Sequence, residues 1–191
     1  VADKFADPAL VAADLIAQAE HDVNAQSILI TNDKNLIQKV NFSLSNQLAE
    51  LPRNKIASQS LKKFGLAILA NSKKNILDAI NIIAPEHLEL CTNINSQILK
   101  GVKNAGSIFL GKFSPEAVGD YLAGPNHVLP TSGSARFSSG LSVNDFLKRH
   151  SLIKITKTGI ERLGTSVINL AEYENLDGHA NSIKIRLKKE K

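Results

Sequence analysis

The side chains of this sequence that could do chemistry are histidines and carboxylates in short segments rich in glycine, proline or acidic residues. Of the five histidines, His150 follows two basic residues and is typical of a solvated helix end. The other four lie in chemically richer segments: His21, His87, His127 and His179. Histidine, aspartate and glutamine without cysteine fit an open catalytic site for zinc or a similar divalent ion better than a closed structural zinc site.

The first segment, Gln18-Ala19-Glu20-His21, places an amide and an imidazole three residues apart in a predicted helix. Residues i and i+3 share one face of a helix, so Gln18 and His21 can present an oxygen and a nitrogen to one point. A surface glutamine and a histidine at a helix end are the alternative, and the segment alone does not decide between the two.

The second segment, Ala84-Pro85-Glu86-His87, joins a predicted helix to a predicted strand. Glu86 and His87 are proton-transfer groups whose pKa values proteins tune towards neutral pH. Adjacent residues in an extended segment point in opposite directions, so the pair acts as one relay only where the backbone turns. An exposed turn without a function is the alternative.

Two further segments lie in the C-terminal half of the sequence. Asp120 and His127 belong to a glycine-flanked loop that places them within reach of one site. His179 follows Asp177-Gly178, a turn signal, so the sequence predicts that it lies at a turn between two helices. Glu174 comes just before this turn.

The elements that must position these side chains alternate between helix and strand. Apolar spacing and capping residues predict helices at 8–20, from about 33 to 51, and at 54–64, 73–83 and 94–102. Runs rich in apolar residues predict strands at 27–31, 66–70, 88–91 and 107–110. This alternation with short connections is typical of an α/β fold with a mostly parallel sheet.

The last third of the chain follows a different pattern. Residues 111–140 show little periodicity and are predicted to form a long functional loop. Helical patterns return at 143–150, 158–174 and 181–188 and join no obvious sheet. We interpret them as a C-terminal arm that packs on a partner subunit.

Composition excludes several classes of protein. Of the 191 residues, 43% are apolar and 21% are charged, which allows a sizeable core and argues against disorder. No apolar run approaches the roughly 18 residues that cross a bilayer, and no signal pattern is present at the N-terminus. The single cysteine, Cys91, excludes an internal disulfide and fits a reducing compartment. We therefore expect a cytoplasmic protein that does not bind membranes.

The charge of the chain does not indicate nucleic-acid binding. Lysine and arginine number 23 and aspartate and glutamate 18, which gives a net charge of +5. Most of this excess lies in residues 184–191 with no aromatic residue between the bases, so a solvated tail is favoured. Neither a glycine-rich dinucleotide or phosphate loop nor a G-x-S-x-G nucleophile elbow is present in the sequence.

Together these segments resemble the histidinol dehydrogenase family, in collinear order along nearly the whole chain. The motifs include Ala-Pro-Glu-His-Leu-Glu and Gly-Pro-Asn-His-Val-Leu-Pro-Thr, and the matching stretches are 14–21, 84–89, 106–111, 119–121, 124–131, 135–137, 145–149 and 176–179. The resemblance covers only the C-terminal part of that enzyme, rather less than half. The sequence has no methionine and its first residue is Val1, so we expect a fragment or a processed piece.

The resemblance implies that the enzyme oxidises L-histidinol through L-histidinal to L-histidine, the last step of histidine biosynthesis. Two NAD molecules each accept a hydride, and one zinc ion per subunit holds the imidazole and amino nitrogens of the substrate. The metal ligands carried over from the resemblance are Gln18, His21, Asp120 and His179.

The resemblance also implies roles in proton transfer and substrate binding. Glu86 and His87 are the acid–base pair: His87 takes the alcohol proton, and Glu86 activates the water that attacks the aldehyde. The implied substrate-binding residues are His87, the four metal ligands, His127 and Glu174.

The domain organisation follows from the same resemblance. Residues 1–140 are expected to form the C-terminal portion of an incomplete Rossmann-like α/β domain, and residues 141–191 a helical dimerisation arm. In the implied homodimer, Glu174 and His179 complete the partner's site. NAD contacts are expected mostly upstream of Val1, so we expect the chain alone to be inactive. Because the domain is incomplete, its sheet is expected to lack partner strands and to have an exposed edge.

Two other functional classes compete with the dehydrogenase. A metal-dependent hydrolase could use the same histidines and carboxylates, but it would hold a bound water and would not require a nicotinamide. A non-enzymatic module could bind nucleic acid through the basic tail, with strongly salt-dependent affinity. The placement of four histidines in chemically rich segments, none of them in the tail, favours the dehydrogenase.

Overall fold

The computed structural model describes residues 1–188. The chain divides into two compact units, Val1–Phe146 and Leu147–Lys191. The sequence predicts the boundary between the α/β domain and the helical arm after residue 140. None of the described helices combines the length and the apolar character that a bilayer crossing requires.

The first unit contains short parallel strands separated by helices. The strands are β1 (Ile28–Thr31), β2 (Leu66–Leu69), β3 (His87–Leu90) and β4 (Ser107–Leu110). The helices are α1 (Pro8–Ala19), α2 (Lys34–Glu50), α3 (Asn54–Phe64), α4 (Lys73–Ile83), α5 (Asn95–Leu99) and α6 (Glu116–Tyr121). Side chains of Asp7, Asp33 and Ser72 accept hydrogen bonds from the first turns of α1, α2 and α4, as expected for N-cap residues.

The strands form two parallel pairs. β1 pairs with β2, so that Ile28 lies opposite Leu66, and β3 pairs with β4, so that His87 lies opposite Ser107. Ala2 makes isolated parallel bridges to Thr31, at the end of β1, and to Cys91, just after β3. The predicted α/β class with parallel strands is confirmed.

Helices cover these strands with apolar side chains. Leu88 and Leu90 of β3 pack in one cluster with Ile30 of β1 and with isoleucines of α4 and α5. Leu29 points to the other face of β1 and packs against residues of α1 and α2. β1 is therefore buried by apolar side chains on both faces, whereas β3 has only one such face.

Two predictions about the region after β4 are wrong. Residues 111–140 are not a continuous loop, because they contain α6 and a single 3₁₀ turn at Ser134–Arg136. The helix predicted at 143–150 is reduced to a 3₁₀ turn, Val143–Phe146. α6 has six residues, too few to show an apolar repeat. Residues 143–150 are all exposed and bury no helix face.

The second unit is a pair of helices, α7 (Lys157–Tyr173) and α8 (Asp177–Leu187). Gly164 allows their close approach, since a Cβ there would lie 2.7 Å from a methyl group of Leu187. The prediction that His179 lies at a turn is wrong. The chain reverses at Asn175, which has a φ of 58°, so α8 begins at Asp177 and His179 belongs to its first turn.

Candidate metal and proton-transfer site

The polar face of β3 provides one wall of the candidate site. Side chains alternate along a strand, so Leu88 and Leu90 point into the core while His87 and Glu89 share the opposite face. α4 ends at Ala84 in the left-handed conformation, with a φ of 50°. The chain then bends at Glu86 immediately before β3. The backbone therefore turns between the end of α4 and His87.

Helix α6 provides the opposite wall. Glu116 and Asp120 are four residues apart and therefore lie on one face of α6. Gly119 lets α6 approach β4, because a Cβ at this position would lie 2.6 Å from the ring of Phe109. The Phe109 ring also lies beside the His87 imidazole, with 6.1 Å between the ring centroids.

Side chains from four segments converge between these walls. Ligand atoms of His21, Glu116 and Asp120 all lie within 4.8 Å of one another. The Nε2 atom of His87 is 3.9 Å from Oε1 of Glu116 and 3.9 Å from Oδ1 of Asp120. His127 approaches from the solvent side, and its Nδ1 is 2.9 Å from the same Oδ1 of Asp120.

Two polar atoms at the centre of this cluster are buried without a hydrogen-bond partner among residues 1–188. They are Nε2 of His87 and Oε1 of Glu116, on side chains that are 14% and 9% exposed. A buried polar atom left unpaired costs about 1–3 kcal/mol. A cation near Glu116 and a substrate hydroxyl near His87 would satisfy these atoms, so the cluster fits a divalent metal and a polar substrate.

The protonation equilibria in the cluster are shifted in opposite directions. Burial, followed by the neighbouring Asp120, raises the pKa of Glu116 to about 7. Burial and then the charge of Asp120 also raise the pKa of Glu86. Burial lowers the pKa of His87 despite the attraction of Asp120. The site therefore favours a neutral imidazole at His87.

Asp120 keeps its charge in this arrangement. Burial acts to raise its pKa, but the hydrogen bond with His127, the neighbouring Glu116 carboxyl group and the charges of His127 and His87 outweigh this and hold the pKa below the ordinary value. The same hydrogen bond raises the pKa of His127. Asp120 is thus the carboxylate best prepared to bind a cation.

The cluster opens onto a cavity of about 630 Å³. Gln18, Glu86, His87 and Glu116 line it, together with Thr131 to Gly133 and Arg136. The Arg136 guanidinium donates to the carbonyl oxygens of Gly133 and Ile82, which fixes this loop against the end of α4. The cavity has the size and mixed lining of a small-molecule site.

The structure thus brings together many of the residues selected from the sequence. His21, His87, Asp120 and His127 meet in the cluster, and Gln18 and Glu86 line the same cavity as His87. Glu174 and His179 belong to the second unit, where both are exposed.

Glu116 is a member of the cluster that was not selected from the sequence. Its side chain is nearly as buried as the core and faces both His21 and His87. A signal was present, because Glu116 follows Pro115 and precedes Asp120 by four residues. Proline before a short helix and two carboxylates at i and i+4 predict one acidic face.

Comparisons with known proteins find one family over nearly the whole chain. The family model described as histidinol dehydrogenase matches residues 1–187. The histidinol dehydrogenase of Pelagibacter ubique is 54% identical over 189 residues, which cover 99% of this chain and 44% of the relative. That of Caldanaerobacter subterraneus is 52% identical, over 97% of this chain and 43% of the relative.

A solved structure extends the similarity to the fold. The crystal structure of histidinol dehydrogenase from Elizabethkingia anophelis matches with a TM-score of 0.92 and 42% identity, over 97% of this chain and 43% of the other. The chain thus spans less than half the length of the relatives that it matches. Since the family model, the relatives and the solved structure agree over nearly all of its residues, the chain belongs to the histidinol dehydrogenase family.

Proposed function

We propose that this chain supplies the metal and proton-transfer part of an enzyme that oxidises L-histidinol, through L-histidinal, to L-histidine. The observation that carries the proposal is the convergence of His21, Glu116 and Asp120 next to the buried imidazole of His87. Membership of the histidinol dehydrogenase family supports the choice of substrate. A hydrolase would use similar groups, but no observation favours it over the family's reaction.

The proposed metal is zinc, with Gln18, His21 and Asp120 as ligands from one copy of the chain. Nitrogen and oxygen donors without thiolate are typical of catalytic zinc sites, which keep positions open for substrate. When bound, zinc orients the substrate by its imidazole and amino nitrogens. Glu116 places a second carboxyl group beside these ligands, and its ionised form would neutralise further positive charge.

His87 is the proposed base for the alcohol proton. Departure of a hydride from the carbinol carbon requires that the hydroxyl lose its proton. Because its pKa is lowered, His87 is neutral at pH 7, and its Nε2 is free to accept that proton. NAD supplies the hydride acceptor in both oxidations.

Glu86 is the proposed base for water in the second oxidation. It lies at the bend before His87 and lines the same cavity, so both groups reach one substrate. Its raised pKa makes the carboxylate a stronger base than an ordinary glutamate. His127, hydrogen-bonded to Asp120 at the exposed edge of the cluster, is a proposed substrate contact.

We also propose that the enzyme is a homodimer in which Glu174 and His179 of a second copy complete the site. Both residues are exposed in the second unit. The same unit exposes large apolar side chains, including Leu152, Leu170 and Tyr173, as expected of a surface that another chain covers. His179 would then be the fourth zinc ligand.

Zinc titration tests the metal site. The chain should bind zinc, and Asp120→Ala and His21→Ala should each weaken binding by more than about 100-fold, because even indirect partners of metal ligands contribute 10- to 100-fold. Asp78→Ala and His150→Ala, which change exposed residues outside the cluster, are the matched controls. Zinc binding that is unchanged in Asp120→Ala would refute the ligand assignment.

An activity assay tests the reaction. The chain alone should not reduce NAD with histidinol, whereas a chimera extended by the preceding region of the Pelagibacter ubique relative should. In that chimera, His87→Ala should abolish NADH formation without releasing zinc. Histidinol oxidation by the chain alone would overturn the proposal that this chain supplies only part of the site.

A further inference from the structure

We propose that Glu89 is a positioning residue that anchors α6, and with it Glu116 and Asp120, to strand β3 beside His87. This inference deepens the proposed function and rests on it for the role of α6. The Glu89 carboxylate accepts a hydrogen bond from the backbone N–H of Glu116 at 2.7 Å. That N–H belongs to the first residue of α6.

α6 needs this acceptor from another element. Its N-cap residue is Pro115, which makes no side-chain hydrogen bond to the helix. The first N–H groups of a helix have no partner within the helix and need one from elsewhere. In the helices α1, α2 and α4 a local aspartate or serine provides it. In α6 a carboxylate from a strand 27 residues earlier in the chain does so.

The anchor sets the position of the helix relative to the proposed base. Glu89 and His87 are two residues apart on one face of β3. Glu89 lies in register with Phe109 of β4, on which Gly119 of α6 rests. α6 is therefore held at its start by Glu89 and in its middle by Phe109, which fixes the carboxylates of Glu116 and Asp120 above His87.

Glu89 also reaches the other ligating element. Its carboxyl group is a close neighbour of the Asp14 carboxyl group, whose charge adds to burial in raising the pKa of Glu89. Asp14 lies on α1 one helical turn before Gln18, so both residues share a face of that helix. Glu89 thus holds α6, which carries Glu116 and Asp120, and lies beside α1, which leads to Gln18 and His21.

Substitutions at Glu89 separate anchoring from general stability. Glu89→Gln keeps an oxygen for the Glu116 N–H and gains an amide that can donate to Asp14, whereas Glu89→Leu provides neither. Leu88→Val is the control, since it loosens the opposite, apolar face of β3 without touching α6. Amide hydrogen exchange at Glu116 and zinc affinity by calorimetry are the two readouts.

Glu89→Leu should speed exchange at Glu116 and weaken zinc binding by roughly 10- to 100-fold. Glu89→Gln should stay within about 3-fold of the parent chain in both, and Leu88→Val should retain its zinc affinity. Unchanged exchange in Glu89→Leu, loss of zinc binding in Glu89→Gln equal to that in Glu89→Leu, or an equal loss in Leu88→Val would each overturn the inference. If the parent chain binds no zinc, the proposed function fails, and exchange at Glu116 still decides whether Glu89 anchors α6.

Discussion

Strands β1 and β3 are built alike but are used differently. Each has four residues, each pairs in parallel with one neighbour, and each lies between helices. In β1 each face packs an apolar side chain into the core, Leu29 against α1 and α2 and Ile30 against the cluster that includes α4. In β3 only Leu88 and Leu90 are packed in this way, and the opposite face presents His87 and Glu89.

The difference shows how a site is built without opening the core. Parallel α/β proteins usually place ligands beyond the carboxyl ends of their strands. Here His87 is the first residue of β3, and the site lies over the face of the β3–β4 pair, beneath α6. A strand with one apolar and one polar face can hold the proposed base and the proposed anchoring carboxylate while its apolar face still contributes to folding.

Alanine substitutions test this comparison, and they have the largest expected effect on stability. Leu29→Ala and Ile30→Ala in β1, and Leu90→Ala in β3, should each lower the free energy of unfolding by about 2–5 kcal/mol, because each leaves a cavity among buried side chains. Urea denaturation measures the change. Ser107→Ala in β4, opposite His87, is the control and should change stability little. A loss of stability in Ser107→Ala equal to that in Leu90→Ala would contradict the assignment of a single apolar face to β3.

The close approach of α6 to β4 gives a second, smaller effect. Gly119→Ala should lower the free energy of unfolding by about 1–3 kcal/mol, because the added methyl group overlaps the Phe109 ring. Gly119→Ala combined with Phe109→Leu should recover part of this loss in a double-mutant cycle. Gly178→Ala in α8 meets open space and should be neutral or slightly stabilising. A Gly119→Ala chain as stable as the parent would show that α6 does not rest on Phe109.

The sequence predicted this architecture well where an element is long or strongly patterned. The bounds of α4 and β4 agree with the prediction, and α1 and α2 differ by a residue or two. α6 was not predicted, because its position depends on contacts with residues distant in sequence, Glu89 and Phe109, rather than on its own apolar repeat. Glu116, which lies on α6, was not predicted for the same reason.

The site could be predicted only in part for the same physical reason. The types and spacing of Gln18, His21 and His87 mark them as candidates, and the motif around Asp120 and His127 adds two more. Which of these side chains share one centre depends on how α1 and α6 meet over β3. Their meeting depends on packing between elements and on the hydrogen bond from the Glu116 N–H to Glu89. Neither leaves a pattern in the local sequence.

A third prediction concerns the polar face of β3 and the pH dependence of stability. Burial and the nearby Asp14 raise the pKa of Glu89 from 4.5 to about 7. The folded chain therefore binds more protons than the unfolded chain between these values, and its stability falls as pH rises from about 4.5 to 7. At 1.36 kcal/mol per pKa unit, and after allowance for solvent screening, Glu89 contributes roughly 1–3 kcal/mol to this fall.

Glu89→Gln, which cannot titrate, should flatten that part of the profile while keeping the α6 anchor. Chemical denaturation of the metal-free chain at intervals between pH 5 and 8 measures the slope. Glu50→Gln, at the exposed end of α2, is the control and should leave the slope unchanged. An identical slope in Glu89→Gln would show that the polar face of β3 does not titrate as the structure implies.

The smallest expected effect lies at the outer edge of the site, where His127 contacts Asp120. This hydrogen bond raises the pKa of His127 above its ordinary value of 6.5. Asp120→Asn should lower the His127 titration midpoint towards 6.5, and Asp78→Asn should leave it in place. Proton NMR of the metal-free chain follows the imidazole directly. Since the His127 side chain is 64% exposed, the bond is open to water and should add little to folding. If Asp120→Asn leaves the His127 midpoint unchanged, His127 does not interact with Asp120. The site would then consist only of the buried groups between β3 and α6.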